Sequence, residues 1–271
     1  HISRRLAVLP MLATAAEIST LRISPMVIAN DYRHPVLLAK ETATIDVLSG
    51  GRFELGIGTG WIEDQYNAAG IPYDSPRVRV DRFEEALTVI KGCWTGEPFT
   101  FKGEHYRVEQ VTCPSPIQRP NPPLLIAGAG RRMLHLAGQE ANIVSIAPLT
   151  KGISGFDEFD AAVATSGDRI DAQLGWIRET AQDRFIDIEL SVMAHHVEVT
   201  PDFDETVARI ASETDSTEEQ VLHSPHMLIG PVERIIETLL NNRERFGISY
   251  IVFLGADLEA IGPVVEHLSS R

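Results

Sequence analysis

The chain has only two cysteines among its 271 residues, Cys93 and Cys113, with no CxxC pair and no histidine cluster beside them. That usage suggests neither a disulfide framework nor a zinc site, and it fits a reducing compartment. No apolar run approaches the ~18 residues that a membrane span requires, and no segment joins a charged start to an apolar centre as a secretion signal does. Basic side chains are also scarce. With 24 Lys and Arg against 38 Asp and Glu, the net charge of −14 argues against a broad nucleic-acid or anionic-membrane surface. An anionic ligand must therefore be held by local groups. GxSxG, the Walker lysine motif and a Cys/His nucleophile arrangement are all missing, so hydrolase and P-loop chemistry lose their usual signs. These absences lead to the expectation of a cytoplasmic protein without a metal site and without nucleic-acid or membrane partners.

What is present is a chain 44% hydrophobic and 23% charged, ordinary for a globular α/β protein. Strand-like runs alternate with segments of helical period. Leu21 to Ala29 reads as a strand, followed by a helix opening at His34-Pro35, with proline in the first turn. Phe53 to Gly58 is the next strand. Phe83, Ala86, Leu87, Ile90 and Trp94 then form the apolar stripe of a helix whose hydrophilic face carries Arg82, Glu84, Glu85 and Lys91.

Phe99 to Val111 reads as a small hairpin around Lys102-Gly103-Glu104. Leu124 to Ala127 is a strand leading into Gly128-Ala129-Gly130 and a helix from Arg131. Strands over Asn142 to Ala147, Ile188 to Val199 and Ser249 to Leu254 follow, with helices from Asp168 to Gln182, around Val232 to Phe246, and from Asp257 to Leu268. The loop from Pro148 to the helix at Asp168 is polar and glycine-bearing. Repeated β-α order without a composition break predicts one domain over 1–271, built of parallel strands covered by helices; eight such units would close a barrel.

The chemistry gathers at the ends of predicted strands. Phe53-Glu54-Leu55-Gly56-Ile57-Gly58-Thr59-Gly60-Trp61 closes a buried strand on three alternating glycines and an exposed tryptophan. Glycine there lets a flat or anionic ligand lie against the backbone, and equally makes a tight turn. It is no dinucleotide fingerprint, because the third glycine position holds Trp61 and no helix begins promptly. At Gly128-Ala129-Gly130 a helix start would aim unpaired amides and its dipole at a phosphate, with Arg131 and Arg132 adding charge. A plain glycine turn with a solvated arginine pair is the competing reading. In Asn30-Asp31-Tyr32-Arg33-His34-Pro35 the turn explains most residues, and Asn30 is the expected ligand contact.

Trp61 either stacks on a ring or walls a pocket, or else belongs to the core or an interface, and Asp64 either serves the site or caps or solvates a short helix. His226 is a candidate proton donor beside its structural reading. His195 and His196 point to opposite faces of a strand, which spoils a chelating pair. Glycine-lined strand ends, a phosphate-type turn and no nucleophile suit an enzyme whose cofactor performs the reaction.

Several segments closely resemble the bacterial luciferase-like monooxygenase superfamily, and within it the actinobacterial type of F420-dependent oxidoreductase. They are Arg33-His34-Pro35, Asp46 through Trp61, Arg79 through Leu87, Pro122 through Gly128, and Ser224-Pro225-His226 through Gly230. The resemblance implies a (β/α)8 TIM barrel, usually dimeric, with the cofactor at the C-terminal strand ends and a small-molecule substrate. It also implies a non-proline cis peptide between Met26 and Ala29. Ring contacts map onto Asn30, Gly58, Thr59, Gly60 and Trp61, with Asp64 nearby; phosphate contacts map onto Ala127, Gly128, Ala129 and Gly130.

His1 matches the family's histidine after its second strand and is the expected proton partner in catalysis. On that alignment the chain starts after the first β-α-β of the barrel. Some F420 enzymes place a glutamate where Trp61 stands, so their acid/base chemistry is not carried over. The resemblance therefore implies F420-dependent hydride transfer to or from a small organic molecule. FMN-dependent oxygenation is the same-fold alternative, and a non-catalytic F420- or flavin-binding protein the alternative of another class.

Overall fold

The computed structural model describes residues 8–148, 162, 163, 165 and 167–269, which fall into two compact units. One contains the described residues up to Ala127 with Glu140–Asn142, the other Gly128–Gln139 and the residues from Ile143 onward. His1 and most of the loop after Pro148 lie outside the described residues.

The first unit is built on parallel pairing. Strand β1 (Ile28–Ala29) pairs with β2 (Leu55–Gly58), and β2 pairs with β5 (Leu124–Gly128) through Leu55↔Leu124 and Ile57↔Ile126. β1 is far shorter than the strand expected from Leu21. Ile23 makes one parallel bridge to Phe53, but Pro25 has no N–H to donate, and the ladder resumes only after the cis peptide at Met26–Val27. The helices obey their local signals. In α2 (Pro35–Leu48) proline occupies the first turn and His34 Nδ1 accepts the Val36 amide at 3.3 Å. In α4 (Pro76–Trp94) Ser75 caps the start and Phe83, Leu87, Ile90 and Trp94 are buried. Each such side chain removed from water contributes about 1.5–3 kcal/mol, and the Trp94 indole N–H is satisfied by the Ala39 carbonyl at 3.2 Å. Helices α1 (Val8–Ile18) and α3 (Glu63–Ala69) complete the helical part. An antiparallel hairpin, β3 (Phe99–Lys102) with β4 (Arg107–Val111), follows α4 as expected.

The second unit holds α5 (Arg131–Glu140), β6 (Ile143–Ile146), α6 (Gly167–Ala181) and β7 (Glu189–Met193). Then come β8 (His196–Val199), α7 (Phe203–Glu213), α8 (Glu218–His223), β9 (Met227–Gly230), α9 (Val232–Phe246), β10 (Ile248–Val252) and α10 (Leu258–Ser269). β7 lies parallel to both β6 and β10. The alternation over Ile188 to Val199 is two strands rather than one. The Ala194 amide still bonds Val252, but the next amide, His195, bonds His226, and β8 continues parallel to β9 in a separate sheet. Ala194, Leu228, Ile235, Leu239, Ile261 and Val264 form one buried apolar cluster here. Among the described residues, no helix is long and apolar enough to cross a membrane.

Candidate functional site

All four residues of β2 are buried, and its glycines are demanded by what lies against them. A Cβ on Gly56 would stand 1.8 Å from the Pro25 carbonyl oxygen, which is backbone and cannot swing aside. Past Gly58 the chain is held by three consecutive carbonyls. Tyr66 Oη donates to Thr59 O at 2.9 Å, Arg79 Nη1 to Gly60 O, and Tyr73 Oη to Trp61 O at 2.9 Å. Arg79 is itself buried, bonds the Asp74 carbonyl through Nε at 3.0 Å, and lies over the Tyr73 ring at 4.2 Å. Neutral bonds of this kind contribute about 1 kcal/mol each and the guanidinium bond somewhat more. A glycine-rich loop that would otherwise be among the softest segments is thereby fixed from the side of α3 and α4. Trp61 stays 51% exposed, so it is not core. Asp64 is also exposed, in the first turn of α3, where a carboxylate complements the helix dipole; the helix begins at Glu63, sooner after the glycines than expected.

Asn30 lies in a 3-10 turn directly after β1 and is 1% exposed. Its Nδ2 donates to Asp31 Oδ1 at 3.2 Å and to Tyr106 Oη at 3.3 Å, while its Oδ1 is buried without a partner among the described residues. Asp31 shapes more than the turn: its buried carboxylate meets Arg82 Nη1 at 3.1 Å and Tyr66 Oη at 3.4 Å. Arg82 also bonds Asp74, so it belongs to this network rather than to a solvated face. Burial first, and the Asp31 charge second, push the Tyr66 phenol well above its ordinary range; burial does the same to Tyr106. Both therefore remain phenols at neutral pH. Arg33 and His34 take structural parts, Arg33 pairing with Glu41 at 3.4 Å and His34 capping α2.

Glu85 is likewise structural. It accepts the amides of Glu104, His105 and Tyr106, and these outweigh its burial and hold its carboxyl below the usual range. Through this contact the hairpin carries Tyr106 to Asn30. The sequence reading missed Tyr66, Tyr73, Arg79, Arg82 and Tyr106. The resembling segment Arg79 through Leu87 contains two of them, and the available signal was Arg79 standing four positions before Phe83, on the apolar stripe of the helix.

In the second unit, Gly128, Ala129 and Gly130 lead straight into α5. A Cβ on Gly128 would meet Met133 Cγ at 2.4 Å, so glycine permits the close approach of the helix. Gly128 O accepts the Ala147 amide at 2.9 Å, and Gln173 Nε2 donates to Ala129 O at 3.1 Å and Ala147 O at 3.0 Å. Gly130 is exposed and Ala129 partly so, at the start of a helix whose first amides have no intrahelical acceptor. Arg131 does not supply charge to the turn. Its guanidinium pairs at the surface with Glu179 at 3.0 Å, and Glu179 also meets His135 at 2.8 Å.

His226 is fully buried. Its Nδ1 lies 2.9 Å from the Met193 carbonyl and must donate, which leaves Nε2 as a buried acceptor without a partner among the described residues. Burial drives its pKa down to about 4, with the Met193 carbonyl opposing and His195 adding to the fall. A neutral imidazole with no proton on Nε2 is no proton donor at neutral pH, and the structural reading holds. The unfolded histidine has a pKa near 6.5, so the unfolded chain binds more protons between about pH 4 and 6.5. Stability from this residue is complete above pH 6.5 and falls by about 3 kcal/mol as pH drops to 4. The expected result in thermal melts is that His226→Asn, which keeps a donor toward Met193, flattens this acid-side loss. An unchanged slope contradicts it. His195 and His196 diverge as expected, His195 contacting the His226 ring and His196 meeting Glu198 at 3.0 Å. Among the described residues no group of three or more His, Cys, Asp or Glu is placed to hold a metal.

Parallel strands joined through helices, with glycine-rich turns at their C-terminal ends, define an α/β protein of the TIM-barrel type. The chain belongs to the luciferase-like monooxygenase family, whose model matches residues 1–249. It is 37% identical over 106 residues, 39% of its length, to an FMNH2-dependent dimethylsulfone monooxygenase of Pseudomonas putida, and covers 29% of that protein. It is 32% identical over 140 residues, 51% of its length, to an F420-dependent glucose-6-phosphate dehydrogenase of Kineococcus radiotolerans, of which it covers 40%. The chain thus spans less than half the length of these relatives. The coenzyme F420-dependent tetrahydromethanopterin reductase of Methanopyrus kandleri shares the fold, with a TM-score of 0.73 at 17% identity over 97% of this chain and 88% of that one.

Proposed function

We propose that the protein is an oxidoreductase that uses deazaflavin F420 for hydride transfer to or from a small organic molecule, working as a cytoplasmic homodimer, with residues 1–271 belonging to a single TIM-barrel domain. The observation that carries this reading is the loop Gly58–Trp61, whose carbonyls are tied down from one side, beside the partnerless Asn30 Oδ1. The residues fit a flat heteroaromatic ligand. Glycine leaves the backbone bare for ring contact, Trp61 offers an exposed aromatic face, and Asn30 Oδ1 needs an N–H or O–H donor. Ring contacts are assigned to Asn30, Gly58, Thr59, Gly60 and Trp61 with Asp64 near, phosphate contacts to Ala127, Gly128, Ala129 and Gly130, and the catalytic proton to His1.

When bound, the cofactor supplies a ring carbon that gives or takes a hydride. The protein's part is orientation and exclusion of water. Tyr66, Tyr73 and Arg79 hold the loop rigid, Tyr106 sets the Asn30 amide, and the Asp31–Arg82 pair keeps that network charged and fixed. Similarity to the dimethylsulfone monooxygenase favours FMN as the second reading. Titrating the purified protein with F420 and with FMN, each followed by absorbance, tests both. F420 bound at least tenfold tighter supports the first reading, and FMN preference with substrate-dependent oxygen uptake the second. Tight F420 binding without turnover of any alcohol, aldehyde or imine tested makes it a binding protein, and binding of neither cofactor removes the proposal.

A further inference from the structure

Gln173 is the only residue of α6 whose side chain bonds the turn before α5, among the bonds described. It is 0% exposed. Its amide nitrogen uses both hydrogens, one on Ala129 O and one on Ala147 O, and its Oε1 is buried with no partner among the described residues. The Ala147 amide in turn donates to Gly128 O, so a closed set of bonds joins the turn, the end of β6 and α6. A glutamine amide has two donors and an acceptor with two lone pairs. Burying that acceptor unsatisfied costs about 1–3 kcal/mol, a cost that a donor from a bound group or an ordered water removes. Leu, Met or Ile would fill the same volume without that cost.

We infer that Gln173 is a positioning residue for the phosphate-bearing part of the cofactor. Its nitrogen clamps Gly128–Ala129–Gly130 in the shape that presents the first amides of α5, and its oxygen accepts a hydrogen bond from a hydroxyl of the polyol chain next to the phosphate. This rests on the reading of the protein as an F420 or flavin enzyme. It adds a residue from a helix that carries no glycine motif and no charge at this position.

The test compares the unsubstituted protein with Gln173→Met, which removes both roles, and Gln173→Glu, which keeps an acceptor and loses the clamp. Each is titrated with F420, with FMN, and with their phosphate-free counterparts, the deazaflavin ribityl alcohol and riboflavin. The preference for the phosphate-bearing member of each pair is expected to fall about tenfold or more in both variants, the size of one to two lost charge-assisted bonds. The phosphate-free ligands are expected to bind Gln173→Glu within about twofold of the unsubstituted protein, and Gln173→Met several-fold more weakly. A merely structural role would weaken both members of each pair alike and overturns the assignment, as does no change at all. Equal loss of phosphate-free ligand in the two variants overturns the acceptor role.

Amide hydrogen exchange on the unliganded proteins supplies an independent reading. Gln173→Met should speed exchange at Ala147 and in the first turn of α5 at least about fivefold while β2 is unchanged. If the unsubstituted protein binds neither cofactor, the enzymatic reading falls, the polyol contact falls with it, and the exchange result alone decides the clamp: faster exchange upholds it, and unchanged exchange removes it.

Discussion

Gly60→Ala is expected to weaken F420 binding by at least about a hundredfold while leaving the protein folded. Gly60 has φ +74°, and a Cβ there would lie 2.1 Å from Tyr66 Oη. The left-handed conformation alone costs a non-glycine residue about 1–2 kcal/mol. The clash is the larger effect. Tyr66 is 1% exposed and its hydroxyl is bonded to Thr59 O and Asp31, so it has nowhere to retreat. The loop must move instead, and with it go the bonds to Thr59, Gly60 and Trp61. On the proposed reading the loop seats the ligand and is not core, so the loss appears mainly in ligand affinity. Gly60→Ala combined with Tyr66→Phe removes the clashing oxygen and should recover part of the binding. Titration of the three proteins with F420, beside thermal melts, checks this; near-normal affinity in Gly60→Ala would mean that the loop is only a turn.

Asp46→Ala should cost about 3–5 kcal/mol of stability, a large share of the 5–15 kcal/mol typical of a domain. Asp46 is 0% exposed at the C-terminal end of α2, where the helix dipole disfavours an anion. It is held there by donors from a distant segment. Oδ2 accepts the amides of Ile117 at 2.8 Å and Gln118 at 3.0 Å, and Oδ1 accepts Gln118 Nε2 at 2.6 Å. The same Nε2 reaches Phe53 O at 2.7 Å, so the carboxylate ties the entry to β2 to the extended segment that leads into β5. Alanine leaves two backbone amides without their acceptor. Asp46→Asn keeps the shape but loses the charge, and is expected to cost roughly half as much. Urea denaturation of the three proteins measures the series. A loss under ~1 kcal/mol for alanine, the scale of an ordinary surface change, would contradict this account.

How much of this was legible in the chain depends on the range of the interactions. α2 and α4 were readable because proline and a capping residue announce their starts within a few positions of an apolar stripe. The glycine strand ends were readable because Gly58 and Gly128 close strands whose apolar runs are continuous. The network that makes the first of these turns rigid was not. Tyr66, Tyr73 and Arg79 act on carbonyls 7 to 19 positions earlier, and nothing in local periodicity distinguishes a tyrosine that ties a loop from one that packs. Arg82 was assigned to the solvated face because it follows the polar stripe of α4; only the fold brings Asp31 to it. Gln173 gave no signal at all, since a lone glutamine in a helix is ordinary until its partners are known. The split of Ile188 to Val199 was hidden for the same reason, because strand alternation records side-chain faces and not which sheet the strand joins.

The central claim is that the carbonyl-tethered loop at the end of β2 seats the redox ring. The most direct measurement is a crystal structure of the protein with F420 bound. The account predicts the deazaflavin ring in van der Waals contact with the backbone of Gly58, Thr59 and Gly60, Asn30 Oδ1 within hydrogen-bond distance of a ring or ribityl donor, and the bonds from Tyr66, Tyr73 and Arg79 unchanged. A ring bound away from Gly58–Trp61, or a loop that rearranges and breaks those bonds to admit it, would contradict the account.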